Sequence, residues 1–135
     1  MFKMFVMIRK KKKSAKRSDD LIDLVSSKQE ARRSFYAKVY EIVARIPKGK
    51  VTTYGAIAEM IGMKSSSRLV GYALKVMPPD LNLPAQRVLN RKGLLTGAHG
   101  FGGYERMRWI LEREGITFIG DGVDLDRHFW SPTAL

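Results

Sequence analysis

The chain has 135 residues, a formal net charge of +12 at pH 7, no cysteine and two histidines. That length suits a single domain with a modest core. Lack of cysteine excludes disulfides, thiolate metal sites and thiol nucleophiles, and His99 and His128 stand apart from any carboxylate cluster, so no metal and no cofactor is expected.

Residues 1–30 are polar and charged. Eight basic side chains and no acid fall within 1–17: Lys3, Arg9, Lys10, Lys11, Lys12, Lys13, Lys16 and Arg17. This composition predicts a disordered basic arm, read either as a solvated tail or as a non-specific phosphate-binding segment. The two readings are compatible. Met4–Ile8 is too short for a secretory h-region, its charge follows instead of preceding it, and no apolar run in the chain reaches a membrane span. Leu21, Ile22, Leu24 and Val25 form one short apolar patch, which allows a short helix there but not a packed element. A domain is expected over 31–135.

Phe35–Ile46 reads as an amphipathic helix. Tyr36, Val39, Tyr40 and Val43 recur at i, i+3, i+4 and i+7, and Pro47 and Gly49 stop the pattern. Lys50–Thr52 is long enough only for a brief extended segment. Thr52 or Thr53 then caps a helix through Ala56, Ile57, Met60 and Ile61. Gly62 turns the chain, and Ser65, Ser66 or Ser67 caps a helix through Leu69, Val70, Ala73, Leu74 and Met77. Helix, short Gly-containing turn, helix is the pattern of helix-turn-helix DNA binders, although many small helical domains share it. Pro84 interrupts the apolar stretch Leu81–Leu89, and Asn90–Gly93 reads as a hairpin-like turn. A helix follows from Gly102 or Gly103 to Gly115, and Thr117–Ile119 reads as a short strand. The expected class is mostly α, with little sheet.

Four segments carry a resemblance: Ile46–Gly55 (IPKGKVTTYG), Ser67–Leu74 (SRLVGYAL), Pro84–Asn90 (PAQRVLN) and Trp109–Gly115 (WILEREG). In this order and spacing they resemble the DNA-binding domain of O6-alkylguanine-DNA alkyltransferases, and within that group the alkyltransferase-like proteins. The resemblance implies a winged-helix-like helix-turn-helix fold that enters the minor groove. It also implies a departure. The alkyltransferases carry Pro-Cys-His-Arg at the third segment, where cysteine accepts the alkyl group; alkyltransferase-like proteins usually put tryptophan there and keep the histidine. Here the stretch is Pro84-Ala85-Gln86-Arg87. A methyl group cannot attack carbon, and an amide does not titrate as a base. No alkyltransferase activity is expected.

By matching position, the resemblance gives Tyr54 the role of pressing on a target phosphate. Arg68 becomes the finger that fills the stack left by a flipped base. Ser67 and Gly71 belong to the same DNA-binding helix, where Gly71 reads equally as a helix-packing residue. Pro84, Ala85, Gln86, Arg87 and Val88, with the Leu94–Gly100 connector, would wall the lesion pocket, made roomier by Ala85. Arg87, Asn90 and Glu114 support it, Glu114 facing Gln86 where the family has histidine. His99 reads as a solvated loop residue, with contact to DNA or the flipped base as the alternative. The implied partner is double-stranded DNA with an alkylated guanine, bound by a monomer that is cytoplasmic and nucleoid-associated if bacterial, nuclear if eukaryotic. Damage-sensing proteins of nucleotide excision repair are implied downstream. A general DNA-binding module without lesion preference is the alternative.

Overall fold

The computed structural model describes residues 14–132. The Lys-rich run at 9–13 lies outside the described residues. Helix α1 spans Ser14–Arg45, so it starts well before the expected Phe35. Residues 14–34 contain neither Gly nor Pro, and nothing in them breaks a helix nucleated by the apolar stripe that follows. This corrects the arm expected over 1–30 for its described part. The chain divides after Ser34 into two units. In the first, residues 19–34 are exposed throughout, the patch at Leu21, Ile22, Leu24 and Val25 included.

The second unit begins at Phe35. Here α1 buries Phe35, Val39, Ile42, Val43 and Ile46, and its two stripe tyrosines pack at the edge of that core. Strand β1 (Thr52–Thr53) leads into α2 (Tyr54–Ile61). Thr53 Oγ1 caps α2 by accepting from Ala56 N at 3.1 Å. Gly62 ends it in the left-handed region at φ 91°, which a side chain would disfavour. Helix α3 (Ser67–Lys75) follows, with Ser66 at the cap position but making no side-chain cap bond.

The Asn90–Gly93 turn forms as expected, with Asn90 Oδ1 accepting from Lys92 N and Leu94 N, both at 2.9 Å. No hairpin ladder flanks it. Strand β2 (Val88–Leu89) instead pairs parallel with β1, Thr52 opposite Val88 and Thr53 opposite Leu89. Successive strand residues face opposite sides. Val88 accordingly joins the cluster of α1, α2 and α3, while Leu89 joins a second cluster with Val51, Leu95, Met107 and Leu111. Helix α4 (Tyr104–Arg113) supplies the last two. Strands β3 (Phe118–Ile119) and β4 (Gly122–Val123) pair antiparallel, and a short α5 (Leu125–His128) closes the unit. Among the described residues the architecture is mostly helical, with two two-stranded sheets.

His128 is structural. It is buried, and its Nε2 lies 2.9 Å from Thr117 N, which donates to it, and 2.8 Å from Thr117 Oγ1. Nδ1 is then left to donate to Gly49 O at 3.1 Å. The ring thereby ties the Pro47–Lys50 turn to the C-terminal segment.

Candidate nucleic-acid interface

Tyr54 is the first residue of α2, immediately after the Thr53 cap, and is half-buried. Two glycines make room for its ring. A Cβ on Gly71 would lie 3.8 Å from Tyr54 Cδ1 and Cε1, and a Cβ on Gly97 only 3.2 Å from the phenolic oxygen. The ring is therefore lodged between α3 and the loop before α4. Arg68 and Gly71 are one turn apart on α3 and share a face; Lys75 follows one turn further on. Arg68 is exposed, while Ser67 is half-buried at the start of the helix.

Beside this face lies a cavity of about 550 Å³, within the range of small-molecule sites. Tyr54, Gly71, Ala85, Val88 and the Thr96–Gly100 stretch contribute to its wall. Val88 belongs to one core cluster and Met107, which also lines the cavity, to the other, so the cavity opens where the two cores meet.

Pro84, Gln86 and Arg87 were expected in that wall but do not line it. The reason is the turn they form. Ala85–Arg87 is a single 3-10 turn, which sends its side chains in different directions. Ala85 faces the cavity. Gln86 Nε2 donates to Glu114 Oε2 at 2.7 Å, and Arg87 reaches Glu114 and also donates to Ile46 O at 2.7 Å. Glu114 thus holds this turn, with no proton relay, while Asn90 braces the separate Asn90–Gly93 turn. His99 lines the cavity and is exposed.

The sequence reading missed Leu74, Lys75, Met77, Leu83, Phe101 and Met107 in the lining. For Lys75 a signal existed, since it stands at i+4 from Gly71 and i+7 from Arg68. Among the described residues no cluster of three His, Cys, Asp or Glu could hold a metal, and no helix is long and apolar enough to cross a membrane.

A capped helix, a glycine turn and a second helix carrying an exposed arginine beside a cavity fit a helix-turn-helix DNA-binding domain. Residues 34–116 match the model of the 6-O-methylguanine DNA methyltransferase DNA-binding domain, and the chain belongs to that family. It is 40% identical over 103 residues to alkyltransferase-like protein 1 of Schizosaccharomyces pombe, covering 73% of this chain and 95% of the relative. It is 42% identical over 107 residues to a DNA base-flipping protein of Escherichia coli, covering 77% of this chain and 80% of the relative. Among solved structures, S. pombe Atl1 in complex with damaged DNA containing O6-carboxymethylguanine superposes with a TM-score of 0.63 at 38% identity, covering 74% of this chain and 97% of that one.

Proposed function

We propose that this protein recognises O6-alkylguanine in duplex DNA, turns the damaged nucleotide into the cavity beside Tyr54, and leaves the lesion unrepaired. The observation that carries the reading is Ala85. It stands in the cavity wall at the position where the family's acceptor cysteine belongs, in a chain with no cysteine at all. Dealkylation needs a soft, ionisable nucleophile, and a methyl group offers none. Binding is the activity left. The relatives named alkyltransferase-like and base-flipping proteins, and a neighbour solved on lesion-containing DNA, support it.

In this reading α3 enters the minor groove, Tyr54 presses on the target phosphate, and Arg68 fills the gap in the stack. Unstacking a base costs a few kcal/mol, and a planar cation in the vacated space offsets part of it. Bound in this way, the protein marks the lesion for excision-repair proteins.

The test is binding of the protein and of Arg68→Ala to a duplex with one O6-methylguanine and to its undamaged twin, at one near-physiological salt concentration. A preference for the lesion that collapses in Arg68→Ala supports damage sensing by base flipping. Equal affinity for both duplexes, indifferent to Arg68, points to a general DNA-binding module that kept the fold.

A further inference from the structure

Among the described residues Lys75 is the one formally charged side chain lining the cavity, and no carboxylate is among its neighbours there. Elsewhere the wall is mainly apolar, with Met77, Leu83, Ala85 and Phe101 contributing, and its remaining polar side chains are Tyr54, Thr96 and His99. The carboxylate of Glu114 is engaged by Gln86 and Arg87. Among the described residues Lys75 takes part in no salt bridge. It is the last residue of α3 and is exposed, so its stem can follow the wall while the ammonium stays hydrated at the rim.

A cavity of this kind treats adducts of equal size unequally. A neutral alkyl end gains only burial against apolar groups. An anionic end must shed water to enter, a penalty that rules it out unless a cation meets it. A lysine ammonium at the rim supplies a charge-assisted hydrogen bond to a carboxylate and reverses the balance. We propose that Lys75 is a specificity-determining residue that favours O6 substituents ending in a carboxylate over neutral substituents of the same size. The inference rests on the lesion-binding reading above.

A competing role for Lys75 is contact with a backbone phosphate. That role would weaken every duplex alike and reduce the salt dependence by about one ion. The experiment therefore reads a ratio. Affinities of the full chain, Lys75→Met and Lys75→Glu are measured at fixed salt for duplexes carrying O6-carboxymethylguanine, its neutral isostere O6-carbamoylmethylguanine, or undamaged guanine. The expected result is a carboxymethyl-over-carbamoyl ratio of about fivefold, as suits a pair at a partly exposed rim. Lys75→Met brings that ratio below one, and Lys75→Glu lowers it further. A ratio unchanged in Lys75→Met, with all three duplexes weakened together, overturns this inference and leaves lesion binding standing. Equal binding of all three duplexes by the unaltered protein overturns both.

Discussion

Arg87 and Glu114, 27 residues apart in sequence, meet in a two-pronged ion pair, with Arg87 Nε donating to Oε1 at 2.9 Å and Nη2 to Oε2 at 3.1 Å. Both side chains are largely withdrawn from water, at 15% and 13% exposure. Gln86 donates to the same carboxylate and Arg87 also holds Ile46 O. One carboxylate at the end of α4 thus fastens the turn that presents Ala85 to the end of α1. Glu114→Ala would strand a mostly buried guanidinium. The expected loss of folding stability is about 3 kcal/mol, the low end for breaking such a pair. Urea unfolding checks it, and a loss below about 1 kcal/mol would mean that the pair behaves as a surface contact.

Gly97 and Gly71 both face Tyr54, but at different distances, and this predicts opposite outcomes for the same substitution. Gly97 has an ordinary backbone at φ −91°, so Gly97→Ala brings no backbone strain. Its new methyl meets the Tyr54 oxygen at 3.2 Å and forces the phenol aside. In the proposed binding mode that phenol meets the target phosphate, so a shift of a few tenths of an ångström should lower affinity for a lesion duplex about fivefold, ~1 kcal/mol, with a smaller effect on the melting temperature. Gly71→Ala places its methyl at an unforced 3.8 Å within a helix. It should raise folding stability by about 0.5–1 kcal/mol. Melting curves for both variants, with lesion binding for Gly97→Ala, decide the matter; a destabilised Gly71→Ala would show that α3 and Tyr54 pack more tightly than these distances allow.

What could be read in advance follows from how local each signal is. The apolar stripe of α1, the Thr53 cap and the Gly62 turn are written within a few residues, and all three form. Before Phe35 the apolar patch Leu21–Val25 spans little more than one turn, which allows a short helix but does not mark a continuous one from Ser14. The parallel pairing of β1 with β2 joins residues 36 apart through strands of two residues each, too short to show alternation. Pattern showed an apolar stretch broken by Pro84; only the three-dimensional turn separates Ala85, which faces the cavity, from Gln86 and Arg87, which face Glu114. Lys75 was hidden for a different reason, since an exposed lysine at a helix end is ordinary until a cavity is found beside it.

Tyr40 gives the fold a pH-dependent element. Its hydroxyl donates to Ala73 O at 2.7 Å, joining α1 to α3. Burial, with a smaller contribution from Tyr36, raises its pKa above the usual 10.0. The neutral phenol is thus favoured in the folded state. The stabilisation from this group is complete below the unfolded pKa and is lost as pH rises through the higher folded value. Tyr40→Phe lacks the hydrogen bond, at a cost of about 1 kcal/mol near neutrality, and lacks this alkaline loss. The stability difference between the two proteins should narrow above pH 10. Urea midpoints across the alkaline range check it, and a constant difference would mean that Tyr40 ionises equally in both states.

Ala85 sets how much of the cavity is free for an adduct. Its methyl leaves space beside Val88 and the Thr96–Gly100 stretch that a larger residue would fill. Ala85→Trp should therefore act on adduct length more than on lesion binding as such. Overfilling a packed site costs about 1–3 kcal/mol. That cost is small for O6-methylguanine, which needs little depth, and large for O6-benzylguanine. The unaltered protein should bind both adducts, and Ala85→Trp should lower the benzyl-to-methyl affinity ratio about tenfold. If the substitution weakens both equally, the alkyl group does not lie against residue 85 and some other part of the wall receives it. A fall confined to the benzyl adduct places residue 85 against the part of the adduct that lies beyond its first carbon.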